Sequence, residues 1–333
     1  MFKLTQVPAA KSISRVTESP RKPLRIGVIQ MHWDESGKVH EANLASAIEM
    51  AANAGAEIVF LPELTLSRYP ADVEPESEVL PLAEPLHGGP THLFAAAHAK
   101  KHNILVHASL FERTPQPGER GLNVAILVDA TGEIVARTPK LHIPVTAGYY
   151  EDQYFAPGPN QPDPYPVYQV EFSDTSAKIG LPTCWDEWFP EVARNYSLRG
   201  AEILAYPTAI GSEPDHPDFD TEPLWRQVII GNGIANGTFM VVPNRWGNEG
   251  KIDFYGSSFV SDPYGRILAR AERSGDEVLV VDLDLAQRKD WLDLFPFLAT
   301  RRPDTYDALV LPVTNPRTAN GSASSGGIAG EWS

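Results

Sequence analysis

The chain alternates short, β-branched apolar runs with stretches whose apolar residues recur at helical spacing, the rhythm of an α/β protein. Leu24–Met31 opens the pattern as a strand. Small and apolar residues at helical spacing over Asn43–Ala54 predict a helix that stops at Gly55, and Glu57–Leu61 then returns as a strand. Further strands are predicted at Ile104–Phe111, Asn123–Asp129, Glu133–Thr138, Ala177–Pro182, Ile203–Tyr206, Phe239–Pro243, Ser257–Asp262, Arg266–Arg270 and Glu277–Asp282. Helices are predicted over Thr91–Lys101, Pro190–Arg199 and Leu224–Asn236. Residues 1–23 mix Pro, Ser and basic residues without period and read as an N-terminal arm, mobile or draped. The Gly/Ser-rich residues 314–333 read as a flexible tail, leaving 24–313 as the domain.

The pattern also repeats. Gly55-Ala56-Glu57-Ile58 with Pro62 is echoed at the same spacing by Gly200-Ala201-Glu202-Ile203 with Pro207, each time closing a helix and opening a strand. Asp129–Arg137 is echoed by Asp262–Arg270, two hairpins with Gly132 and Gly265 at turn positions that tolerate positive φ. Two such halves predict two stacked sheets with helices outside, a four-layer α-β-β-α sandwich. Neither half alone would cover its sheet on both faces, so the prediction is one domain.

Composition narrows the chemistry. With 28 Lys+Arg against 43 Asp+Glu the formal net charge is −15, which argues against nucleic acid and anionic membrane surfaces as partners and favours small neutral or cationic ligands. One cysteine forms no internal disulfide, and the basic, Pro/Ser-rich start has no apolar signal core, so a cytoplasmic location is expected. No run approaches the roughly 18 apolar residues of a membrane span. His98 and His102 stand four apart without the Glu of a zinc-protease helix, and Gly231–Gly237 misses dinucleotide-loop spacing, so neither metal nor cofactor is expected.

Three polar residues stand at strand ends. Cys184, in Thr183-Cys184-Trp185-Asp186-Glu187-Trp188-Phe189-Pro190-Glu191, sits between a strand and a helix start, where backbone N–H groups would depress a thiol's pKa. Taken alone, that position equally suits a buried structural cysteine. Glu63 follows Leu61-Pro62, where apolar flanks would raise a carboxyl toward neutrality for proton transfer, although a capping or surface glutamate fits too. Lys140, bracketed by Pro139 and Pro144, can supply a point charge to an oxyanion or simply be solvated. All three lie at carboxyl ends of strands, where open α/β sheets place their sites.

Glu, Lys and Cys in this order, in LPEL, KLHIP and TCWDEWFPE contexts, closely resemble the nitrilase superfamily of carbon-nitrogen hydrolases over about residues 24–310. CWDEWFPE, RGAEIL, YPTAIGSEP, FYGSSF and RRPDTY are most similar to the members that act on N-carbamoyl amines. The resemblance implies a nitrilase-type sandwich and a thiol-dependent hydrolase without cofactor, with Cys184 as nucleophile, Glu63 as general base and Lys140 stabilising the tetrahedral intermediate. It further implies that Glu151 holds Lys140 and orients substrate, and that Trp185 lends its N–H to the oxyanion. Tyr69, Trp185, Trp188 and Thr208 are the implied substrate contacts. A homodimer or higher homo-oligomer, packed through Pro190–Arg199 and wrapped by the tail, is implied as well. Aliphatic amides, N-carbamoyl amino acids and nitriles remain alternative substrates, and a silent assembly subunit an alternative of another class. Two departures bear on the substrate: Thr65–Asp72 is poor in aromatics, and Asn244–Asp253 is short. Finally, the loop after Pro207 carries Glu213, Asp215, Asp218, Asp220 and Glu222 with no Lys or Arg, which reads as a solvated acidic surface or as a selector for a substrate ammonium.

Overall fold

Most strands bury residues on both faces, as in the second strand, where six of the seven residues of Leu24–Gln30 are buried. Each sheet must therefore be covered twice. A computed structural model describes residues 2–113, 120–146 and 148–312, so the tail expected over 314–333 lies outside the described residues. The first half comprises β1 (Lys3–Val7), β2 (Leu24–Gln30), α1 (Gly37–Asn53), β3 (Ile58–Phe60), α2 (Pro90–His102), β4 (Leu105–Glu112), β5 (Leu122–Val128) and β6 (Ile134–Pro139). Next come α3 (Glu151–Tyr154), β7 (Val167–Glu171), β8 (Ser176–Gly180), α4 (Pro190–Leu198), β9 (Ile203–Ala205), α5 (Glu222–Asn236) and β10 (Phe239–Val242). The chain closes through β11 (Trp246–Asn248), β12 (Asp253–Tyr255), β13 (Phe259–Ser261), β14 (Ile267–Arg270), β15 (Glu277–Leu283) and α6 (Gln287–Leu294).

One sheet has the order β1-β15-β2-β3-β4-β5-β6 and the other β14-β13-β10-β9-β8-β7. Ile26, Ile58 and Phe60 of the first meet Ile179, Ile203 and Val241 of the second in a core between the sheets. Leu44 and Ile48 of α1 and Ala95 and Ala99 of α2 cover the outer face of the first sheet, while Val192 and Tyr196 of α4 and Trp225 and Ile229 of α5 cover the second. These are the four layers α-β-β-α. Close approach of helix to sheet depends on Gly27 and Gly180: a Cβ at the first would lie 2.9 Å from Ala51 Cβ, and at the second 2.5 Å from the Tyr196 ring.

The sequence repeat is also a repeat of hydrogen bonds. Ala56 N–H donates to Ala51 O at 3.0 Å and Ala201 N–H to Tyr196 O at 3.0 Å; Glu57 N–H donates to Arg25 O and Glu202 N–H to Lys178 O, at 3.0 and 2.8 Å. Gly132 and Gly265, at φ +84° and +80°, close their turns on the carbonyls of Asp129 and Asp262. One exchange links the halves. Antiparallel β7, made after the first half, edges the second sheet beside β8, and antiparallel β15, made after the second half, lies beside β2 in the first.

Several elements differ from expectation. The N-terminal arm contributes a strand, β1, that pairs in parallel with β15 through its backbone while most of its side chains stay exposed, so no apolar alternation marks it. Helix α1 begins at Gly37 rather than Asn43, because its polar first turns hide the buried His40. The polar α6 and the short β11–β12 hairpin have no apolar period to find. Among the described residues no helix is long and apolar enough to cross a membrane.

His107 of β4 is fully buried against Phe60, neither ring nitrogen has a partner among the described residues, and burial drives its pKa down to about 3. The folded state therefore holds it neutral while the unfolded chain protonates it below its ordinary 6.5, so stability is lost as pH falls below that value. Replacing His107 with Leu should remove about 2 kcal/mol of acid destabilisation at about pH 5. Thermal melts should show the variant gaining on the wild type between about pH 7 and pH 5; a constant difference would refute the assignment.

Candidate active site

Glu63 stands just beyond β3, Lys140 directly after β6, and Cys184 just beyond β8, so three strand ends deliver them to one place. Cys184 adopts φ +40°, a left-handed conformation unusual outside glycine, at the head of a 3-10 turn, Cys184–Trp188. Asp186 holds this turn, its Oδ2 accepting from Thr183 N at 3.2 Å and its own N–H donating to Thr183 O at 3.0 Å. Buried Asp186 also joins it to the lysine segment: Oδ1 accepts from His142 N at 3.0 Å and His142 Nδ1 at 2.7 Å, and Oδ2 from Leu141 N at 3.3 Å. The nucleophile turn and the Lys140 strand end are thus fixed to each other by one carboxylate.

Lys140 Nζ donates to Glu63 Oε1 at 3.0 Å and to Glu151 Oε2 at 2.6 Å, with the ammonium wholly buried. Burial alone would pull the lysine down, but Glu151 and Glu63 together hold it well above its ordinary range. Glu63 Oε1 also accepts from Asn123 Nδ2 at 2.7 Å, while its Oε2 has no partner among the described residues. Burial raises the Glu151 carboxyl, against the opposing pull of Lys140, and Tyr69 donates its hydroxyl to Glu151 Oε1 at 2.8 Å.

The thiol departs from expectation. Burial, and then the charge of Glu63, push Cys184 well above its ordinary value, with Lys140 opposing. A single 3-10 turn is too short to reverse that. The resting sulfur is therefore held as a thiol.

Beside Cys184 opens a cavity of about 170 Å³, walled by Trp185, Trp188, Tyr149 and Ile210, with Glu151 and Glu213 among its lining and no Lys or Arg among the described lining residues. Trp185 and Trp188 both line this cavity. Tyr69 and Thr208 do not line the cavity. Tyr69 is buried behind it on Glu151, and Thr208 Oγ1 donates to Pro243 O at 2.8 Å, locked in the strand-end backbone. Of the five acidic loop residues only Glu213 reaches the cavity; Asp220 and Glu222 pair with Arg273 and Arg226, and Asp215 and Asp218 are exposed. Sequence reasoning missed Asn123 and Tyr149. An amide near the start of the otherwise apolar Leu122–Val128 was the available signal for the first.

Residues 25–292 match the carbon-nitrogen hydrolase family. A citrullinase of Francisella tularensis is 37% identical over 86% of this chain and 98% of its own length. The chain belongs to the carbon-nitrogen hydrolase family. The N-carbamoylputrescine amidase of Arabidopsis thaliana is 34% identical, covering 88% of this chain and 97% of the relative. In three dimensions a carbon-nitrogen hydrolase from Helicobacter pylori G27 superposes with a TM-score of 0.75 at 33% identity, over 86% of this chain and 98% of that one. This carbon-nitrogen hydrolase is accordingly an enzyme acting on non-peptide amide or carbamoyl bonds.

Because Cys184 titrates above its ordinary 9.0, iodoacetamide should label it ever faster from about pH 6 to about pH 9. Mass spectrometry of the single adduct gives the rate. A plateau below about pH 7 would mean that the thiolate is already formed and the electrostatic reading wrong.

Proposed function

We propose that this enzyme hydrolyses the ureido group of an N-carbamoyl amine whose far end carries an ammonium, N-carbamoylputrescine being the type. The cavity supports this most directly: Glu213 stands among its aromatic and aliphatic lining, and no cationic side chain among the described lining residues awaits a substrate carboxylate. Burial raises Glu213 somewhat, and Thr221 Oγ1 donates to it at 3.3 Å. A relative is named N-carbamoylputrescine amidase.

In this reading Cys184 is the nucleophile and Glu63, through its unpartnered Oε2, the base. The thiol proton passes to Glu63 as sulfur bonds to the carbamoyl carbon, and Lys140, with the N–H of Trp185, stabilises the oxyanion. Collapse breaks the bond to the terminal nitrogen, which takes the proton from Glu63 and leaves as ammonia. The thiocarbamate left on sulfur is attacked by water, whose proton Glu63 accepts and returns to sulfur as the C–S bond breaks. The N-alkyl carbamate released loses CO2 to give the amine. Glu151 keeps Lys140 charged and in place. A second copy of the chain is proposed as partner across the α4 face, where Leu198 is exposed; light scattering giving a stable, active monomer at micromolar concentration would overturn that part.

Ammonia release should favour N-carbamoylputrescine over an equally long uncharged N-carbamoyl alkylamine by about tenfold in kcat/KM, an energy of about 1.4 kcal/mol. Glu213→Gln should erase that preference and leave the uncharged substrate unaffected. Added salt, and acid sufficient to protonate Glu213, should weaken it in the wild type. Citrulline, the substrate that another relative's name points to, carries an α-carboxylate as well as an ammonium and should be the poorer substrate. Equal rates on all three would refute the assignment of Glu213. Cys184→Ala should abolish turnover with an unchanged melting temperature; residual turnover would refute the nucleophile.

A further inference from the structure

The loop that carries Glu63 runs on to Tyr69, whose hydroxyl supports Glu151, so residues 63–69 hold two members of the buried cluster. One side chain from the other half of the molecule grips this loop. Arg245, between β10 and β11, is buried, and its Nη2 donates to Glu63 O at 2.6 Å and to the carbonyls of Leu64 and Ser67, each at 3.2 Å. Leu64 lies at φ +49°, a conformation that turns successive carbonyls out of any strand ladder and toward a single donor. Nη1 donates to both oxygens of buried Glu249, at 2.7 Å each, and Glu249 Oε2 accepts from Tyr69 N at 2.9 Å.

The structure assigns to Arg245, with Glu249, the positioning of Glu63 and Tyr69. A buried guanidinium without a carboxylate would be costly, so Glu249 satisfies the charge while passing the constraint on to Tyr69. Only a planar fork can reach three carbonyls and a carboxylate at once; an ammonium is a point donor on a flexible stem. The charged and titratable neighbours are few. Burial, and less so Arg245, lowers His40, whose Nε2 contacts Thr65 O at 2.8 Å; Arg68 pairs with Asp72 and donates to Glu249 O; and Lys140, Glu151, Cys184 and buried Glu187 lie around the carboxyl end of Glu63. This role rests on the proposed one for Glu63, because Arg245 acts on the reaction through that residue.

The experiment compares Arg245→Lys, Glu249→Gln and Glu63→Gln in the full chain by melting temperature, ammonia release from N-carbamoylputrescine, and the pH dependence of kcat/KM and of iodoacetamide labelling. A displaced Glu63 predicts, for folded Arg245→Lys, a kcat lower by about ten- to a hundredfold with KM within about threefold. The acid limb of kcat/KM should move to higher pH, because a carboxylate that loses ammonium and amide contacts holds a proton more tightly. Glu249→Gln, which keeps the volume and an acceptor toward Tyr69, should show the same shift with a smaller loss, and it decides the matter if Arg245→Lys does not fold. A purely structural role would lower the melting temperature and leave kcat per folded molecule and both pH profiles unchanged, and that result overturns the inference. Should Glu63→Gln be inactive while the other two behave as wild type, the positioning inference alone fails. Should Glu63→Gln turn over normally, the assignment of Glu63 as base fails first.

Discussion

Lys140 carries its charge where solvent does not reach, and the arrangement around it follows from that. An isolated ammonium in such a place would give up its proton, so two carboxylates must be within hydrogen-bond reach, and Glu63 and Glu151 are. Two carboxylates on one cation leave acceptor capacity unsatisfied; Asn123 and Tyr69 meet part of it, and Glu63 Oε2 keeps no partner among the described residues. Removing one partner from a buried pair of this kind costs about 3–5 kcal/mol. That is a large share of the roughly 5–15 kcal/mol that holds a domain together. The first of these figures is the penalty for stranding a buried charge, so the cluster is kept whole or not at all.

The repeat shows how a pseudosymmetric frame acquires an asymmetric site. Glu57 and Glu202 occupy equivalent positions, as do Gly27 and Gly180. Counting forward from these pairs, Thr208 stands where the first half has Glu63, and Met31 stands where the second has Cys184. Each half contributes one of the two positions proposed to react and carries a different residue, Thr208 or Met31, at the other. The two equivalent strand ends touch, since Glu63 N–H donates to Thr208 O at 3.4 Å.

Much of this was legible in the chain. Four of the strands around the site, Glu57–Leu61, Asn123–Asp129, Glu133–Thr138 and Ala177–Pro182, are apolar enough to be found by pattern, and their ends located Glu63, Lys140 and Cys184. What escaped was held by backbone or by polar contacts at long sequence separation. Strand β1 shows almost no burial pattern, and the apolar residues of α6, Trp291, Leu292 and Leu294, are bunched in its second half behind a polar first turn. Asn123 takes its significance from the side chain of Glu63, and Tyr149 from the backbone of Gly211 and Ser212, all far along the chain. The thiol's elevation was invisible for a related reason: the helix-start position of Cys184 can be read locally, whereas its burial and the facing Glu63 are properties of the assembled sandwich.

The exchange of β7 and β15 has a consequence for how such a chain is made. During synthesis the first half emerges with β2 lacking its neighbour, and the backbone groups along that edge stay unpaired until Glu277–Leu283 has left the ribosome. β8, by contrast, finds β7 already waiting. The sheet that bears Glu63 and Lys140 is thus begun first and closed last, and β1 can join it only after β15 arrives, so the two ends of the chain are committed in a single late event.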